Sequence, residues 1–104
     1  MLTRSISKVE YEAIAQGRVP AYDAVIKISG SDKFMTVRNK KVGINDSDFT
    51  PVLDNLYSEI KILDNGCMIA KYEDVYLIFD SNGYLIKTEG FAKESEAASY
   101  ATFF

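Results

Sequence analysis

Fifteen carboxylates, twelve cations, one cysteine and no histidine make up the chemical equipment of this chain. Without histidine the commonest general base near neutral pH and the commonest zinc ligand are both missing. A single cysteine leaves no structural zinc site of the usual kind. Cys67 follows Gly66 at a strand start, with no cation or helix N-terminus evident in sequence to activate it. It reads as a small buried apolar residue. Because it is the only cysteine, no internal disulfide forms, which points to a reducing, cytosolic setting.

Two turns carry oxygen ligands. Asp80-Ser81-Asn82-Gly83 is followed by Glu89 six positions after the glycine, the spacing of a calcium loop. The intervening Tyr84-Leu85-Ile86 reads as strand and no helix flanks the loop, so the segment is read as a hairpin turn. Asn45-Asp46-Ser47-Asp48 places two carboxylates in one turn. It could hold a cation weakly, and turn chemistry explains it equally well. Nothing singles out one acid pair for glycoside chemistry, and the glycines stand singly rather than in a phosphate-binding loop. No metal or cofactor is implied.

Charge is distributed unevenly. Residues 1–41 hold eight Lys/Arg against four Asp/Glu, and residues 42–104 hold four against eleven, so a net +4 is followed by −7. Lys33, Arg38, Lys40 and Lys41 put four cations within nine residues, the best local candidate for a phosphate or acidic-protein contact. Asp46, Asp48, Asp54, Glu73 and Asp74 are the acidic counterpart, a surface that could face a basic partner or imitate nucleic acid.

The elements that must position these residues read clearly. Ser7-Lys8-Val9-Glu10 has capping-box spacing, Val9, Ala13 and Ile14 recur at helical spacing, and Gly17 and Pro20 stop the run. A helix is expected over 8–16. From Tyr22 to Glu89 the apolar period becomes two. Ser29-Gly30-Ser31-Asp32, Asn39-Lys40-Lys41, Asp64-Asn65-Gly66 and Asp80-Ser81-Asn82-Gly83 punctuate it as turns. After 93 the acids and alanines favour a second helix over 93–102. Its stripe of Ala97, Tyr100, Ala101 and Phe104 is expected to dock on the sheet. The expected fold is α+β in a single domain, 1–104. It has an antiparallel β-meander of about seven or eight short strands over 22–89, with both helices packed on it. The longest uncharged apolar run, Val75 to Phe79, is too short to span a bilayer, and Met1-Leu2-Thr3-Arg4 does not open an export signal.

A repeat runs through the strands. Tyr22, Tyr57 and Phe91 are separated by 35 and 34 residues, and a shift of 34 aligns 34–57 with 68–91 without a gap. Met35 falls on Ile69, Ile44 on Ile78, Asp46 on Asp80 and Ser47 on Ser81. Each unit is a small meander that cannot bury its apolar face alone.

The pattern resembles the bacterial WG-repeat family. That family runs through an apolar strand, a basic turn, Trp-Gly-Leu-Ile-Asp, a turn with Gly, a short apolar-Pro stretch and Tyr-Asp-x-Ile. Asn39-Lys40-Lys41-Val42-Gly43-Ile44-Asn45-Asp46 is similar to its middle, with Val42 in place of Trp. Thr50-Pro51-Val52 and Tyr57-Ser58-Glu59-Ile60 are similar to its end, and Tyr22-Asp23-Ala24-Val25 to the preceding end. The second unit keeps Asp80, Asn82 and Gly83, with Tyr76-Leu77 where Trp-Gly would lie. The chain has no tryptophan. The resemblance covers about residues 20–91 and implies an interaction or scaffolding role.

The expected function is therefore a non-catalytic protein-interaction module. Stand-alone domains of this size without enzymatic residues are common among phage and mobile-element inhibitors of host systems. The reading is a small cytoplasmic inhibitor or regulator that blocks a host defence or nucleic-acid enzyme by occluding its surface. A protein partner is expected, with no direct nucleic-acid or membrane contact. A homodimer through an exposed edge strand fits the same pattern. The alternative is a small-ligand binder with a pocket lined by Tyr22, Tyr57, Tyr72 or Tyr76. A minimal carboxylate hydrolase has the least behind it.

Overall fold

In the computed structural model, which describes residues 6–103, Ser7 caps the first helix as its spacing predicts. Its Oγ accepts from the Glu10 N–H at 3.3 Å and opens α1 (Lys8–Ala15), and Gly17 turns the chain away at φ 72°. The described strands are β1 (Ala24–Lys27), β2 (Phe34–Arg38), β3 (Lys41–Asn45), β4 (Pro51–Tyr57), β5 (Glu59–Ile62), β6 (Met68–Tyr72) and β7 (Val75–Phe79), followed by α2 (Glu94–Ala101). The fold is α+β and the strands pair antiparallel. They form two sheets rather than one continuous meander, a four-stranded β1-β2-β3-β4 and a three-stranded β5-β6-β7. The chain divides into two compact units, Met1–Asn55 and Leu56–Phe104.

In the first unit, α1 and the sheet share a core of Ala13, Val19, Tyr22 and Phe49, with Val9, Ile14, Val25 and Phe34 against it. Phe49 is fully buried and its ring meets Tyr22 and Phe34 edge-on, with centroids 5.8 and 5.4 Å away. The buried Asn45 donates from Nδ2 to the Tyr22 hydroxyl at 3.2 Å, so the polar ends of this core are satisfied locally. In the second unit, α2 docks on β6 and β7, as its alanine face predicts. Ala97 and Ala101 pack with Cys67, Ile69 and Ile78, and Phe91 lies 5.5 Å from the Tyr100 ring. Phe103 stays exposed, and Phe104 lies outside the described residues.

The repeat is a structural one. Phe34 opposite Asn45 and Arg38 opposite Lys41 become, 34 residues on, Met68 opposite Phe79 and Tyr72 opposite Val75. The turn that follows is also copied. Asp46 N–H donates to Thr50 O at 2.9 Å and Phe49 N–H to Asp46 O at 3.0 Å; Asp80 N–H donates to Tyr84 O at 2.9 Å and Gly83 N–H to Asp80 O at 3.0 Å. Even the bulge at the start of each sheet recurs. Asp23 N–H donates to Val37 O at 2.7 Å beside the Ala24–Val37 pair, and Ser58 N–H to Lys71 O at 3.0 Å beside the Glu59–Lys71 pair. The uneven spacing of Tyr22, Tyr57 and Phe91 follows from one loop. The β1–β2 connection has six residues, 28–33, and the β5–β6 connection has five, 63–67.

The copies diverge at their ends. Pro51–Tyr57 is a full strand, whereas the strand expected at Tyr84-Leu85-Ile86 is reduced to isolated bridges, Phe79 with Leu85 and Tyr76 with Phe91. Gly90 lies so close to Val75 that a Cβ would come within 2.6 Å of the valine Cβ.

Candidate interaction surface

The four cations that the sequence groups together are split by the strand between them. β2 rises about 3.3 Å per residue and carries Lys33 to one end of the sheet and Arg38, Lys40 and Lys41 to the other. Lys33 is half-buried, with its Nζ 4.0 Å from Asp32 Oδ1. Arg38, Lys40 and Lys41 are exposed around the β2–β3 turn. There Arg38 faces Lys41 across a two-residue loop in which Asn39 and Lys40 both have left-handed backbone, φ 54° and 65°. Asp23 braces this tip, its Oδ2 accepting from the Asn39 N–H at 2.9 Å.

The acids also divide. Asp46 and Asp48 occupy the β3–β4 turn, at the end of the sheet where Lys33 lies, and Asp54 is exposed on β4. Glu73 and Asp74 form the exposed β6–β7 tip of the second unit, with Glu73 at φ 53°. Asp46 Oδ1 and Asp48 Oδ1 both accept from the Thr50 N–H, at 2.9 and 3.2 Å, so these carboxylates are engaged in closing their turn. Burial, then the hydrogen bond shared with Asp48, raises the Asp46 carboxyl above the usual range. That same bond, followed by the bonds to Thr50, lowers Asp48. The two titrate as one pair, with Asp48 giving up its proton first. Asp80 repeats the turn role, its Oδ1 accepting from the N–H groups of Asn82 at 2.9 Å and Tyr84 at 3.0 Å. That is the hairpin chemistry its spacing predicts.

The tyrosines have separate surroundings. Tyr22 is buried in the first unit. Tyr57 is buried in the second, edge-on to Phe79 at 5.7 Å and Tyr72 at 6.2 Å. Tyr72 is exposed, and Tyr76 is half-buried under the Lys71 ammonium, 5.8 Å from its ring centroid. Tyr76 alone of the four lines a cavity of about 270 Å³ bounded by Glu59, Lys61, Ile69, Lys71 and Glu94.

Two asparagines tie distant segments together, Asn55, which the sequence did not single out, and Asn65, which it marked only as a turn residue. Asn55 on β4 reaches over Gly43 to Thr36 O and Oγ1, both 3.1 Å from its Nδ2, and to Lys41 O at 3.2 Å. Asn65 in the β5–β6 turn donates to the Ala101 carbonyl of α2 at 2.8 Å and accepts from the Cys67 N–H at 3.1 Å. The Asn65-Gly66 signal located the turn, but only the folded chain brings α2 to it.

Comparison of the chain with protein-family models, curated proteins and solved structures finds no match. No helix among the described residues is long and apolar enough to cross a membrane.

Proposed function

We propose that this protein is a non-catalytic interaction module, a small cytoplasmic inhibitor or regulator that occludes the surface of a protein partner. One observation carries the reading. The two units present two-residue hairpin loops at the same register with inverted charge, Arg38-Asn39-Lys40-Lys41 in the first and Tyr72-Glu73-Asp74-Val75 in the second. The scaffold does not ask for these charges. Lys40 and Glu73 take left-handed backbone, where glycine is strain-free and other residues cost about 1–2 kcal/mol each. Strained, exposed, charged residues at equivalent tips fit selection for contact rather than for folding. Kinship with the WG-repeat family would point the same way.

The test is affinity capture from a host lysate, followed by calorimetric titration of the purified captured protein. Glu73→Lys/Asp74→Lys and Lys40→Glu/Lys41→Glu are compared with the unaltered chain. At least one pair of reversals should weaken binding tenfold or more. Unchanged affinity in both would refute the reading, and so would failure to capture any protein.

A second reading, a binder of small polar molecules, draws on the cavity of about 270 Å³ beside Tyr76, Lys61 and Glu94. Native mass spectrometry of freshly purified protein would reveal a bound molecule. A clean apo mass in protein from its own host would count against it.

A further inference from the structure

β1 and β5 are the same edge strand in two copies, since Ala24 pairs with Val37 as Glu59 pairs with Lys71, 34 residues later on the second strand. Ala24 and Ile26 of β1 therefore correspond to Glu59 and Lys61 of β5. The second copy protects its edge in the usual way, with exposed charges of both signs. The first puts isoleucine where the second has lysine, and Ile26 is 55% exposed.

The backbone of β1 is also open for pairing. Ile28 N–H donates to Lys33 O at 3.0 Å, so by alternation Ala24 and Ile26 direct their N–H and C=O groups at β2. Val25 and Lys27 direct theirs outward, where no hydrogen-bond partner stands among the described residues.

We propose that β1 pairs antiparallel with β1 of a second copy, forming a two-fold dimer in which Ile26 faces the partner's Ile26. The register follows from the free groups. Centring on Ile26 lets Val25 exchange both hydrogen bonds with the partner's Lys27, and Lys27 with the partner's Val25, so every outward group is used. Centring on Val25 would set Lys27 against the partner's Asp23, whose N–H is already donated to Val37 O at 2.7 Å. Centring on Lys27 would oppose two ammonium groups. In the chosen register the two isoleucines meet in a non-hydrogen-bonded pair, the closer of the two kinds, and no like charges stand opposite each other. Four-residue edges bury less than a standard interface, so the dimer is weak and forms within roughly 10 µM to 1 mM.

Sedimentation velocity over that range should show a reversible shift from monomer to dimer. Ile26→Lys, which copies β5 at an exposed position, should hold the chain monomeric with its dilute-solution melting temperature unchanged. Amide exchange gives an independent readout: Val25 and Lys27 should become protected at least tenfold as concentration rises, in the unaltered chain only. A chain that stays monomeric throughout overturns the proposal. So does a dimer that survives Ile26→Lys with both amides still exchanging fast.

Discussion

Phe49 and Gly83 occupy the same left-handed position in two copies of one turn, at φ 68° and 88°. Glycine takes this conformation without strain. Phenylalanine takes it at a cost of about 1–2 kcal/mol, offset by burying its ring fully among Tyr22, Phe34 and α1. The two positions should therefore respond differently. Gly83→Ala should destabilise by about 1–2 kcal/mol through strain alone. Phe49→Gly should relieve its strain and still lose about 1–4 kcal/mol, because the emptied core site costs roughly 3–5. Urea denaturation of both variants measures this. A Phe49→Gly chain as stable as the unaltered one would mean that the ring contributes little to the core.

Gly43 is held by a different constraint. A Cβ there would lie 2.6 Å from Leu53 O and 3.1 Å from Asn55 Nδ2. Gly43→Ala should cost roughly 1–3 kcal/mol through overcrowding and displace Asn55 from Thr36. Asn55→Ala, which removes the tie without crowding the strand, should cost about 1 kcal/mol. If the two effects share this cause, the double variant will fall short of their sum in a thermal-melt cycle.

Asn65 joins the β5–β6 turn to the end of α2. Replacing it with alanine removes the 2.8 Å bond to Ala101 O and the 3.1 Å bond from Cys67 N–H, and should destabilise by about 1–3 kcal/mol. Asn65→Asp keeps the acceptor for Cys67 but sets a carboxylate against the Ala101 carbonyl, so it should recover little. Amide exchange near residues 97–101 should quicken in both variants.

The charged tips should show opposing effects of one substitution. Lys40→Gly and Glu73→Gly release left-handed strain and should each stabilise by up to about 1 kcal/mol, since the added freedom of the unfolded chain cancels part of the gain. Each should also weaken binding to a captured partner. Higher melting temperature with undiminished affinity would separate the strain from function.

Cys67 should be slow to react. Burial, then the nearby Asp80 carboxylate, pushes its thiol above the ordinary value of 9.0. Alkylation of the folded chain near pH 8 should run at least about tenfold slower than in denaturant, because the thiolate is the nucleophile. The linkage sign follows. The folded state holds the proton more tightly, so this contribution to stability is complete below the ordinary thiol pKa and is lost as pH rises through it towards the folded value. Equal alkylation rates in folded and unfolded chains would contradict the burial.

Local chemistry explains what was readable before folding. Ser7 three residues before Glu10, the glycines at 66 and 83, and the period-two runs between turns act within a few residues of one another. They set both helices, the hairpins and the 34-residue repeat. Residues that matter through distant neighbours were not readable in this way. Asn65 looked like a turn residue only, and although the 34-residue shift sets Phe49 on Gly83, nothing in the chain announces that its ring is buried there. The basic run at 33–41 looked like one patch because sequence distance ignores direction, and five residues of extended strand put its members at opposite ends of a sheet.

The amino-acid sequence by itself determined the α+β class, the antiparallel hairpins and the duplicated meander, because turn propensity and alternation are short-range and repeat with the residues. Only the tertiary structure decided that the strands close into two sheets and that α2 returns to Asn65. It alone left the edge at Ile26 open where Lys61 guards its copy. Those outcomes depend on which apolar faces bury together and which strand edges find partners. They are set by contacts between residues far apart in the chain.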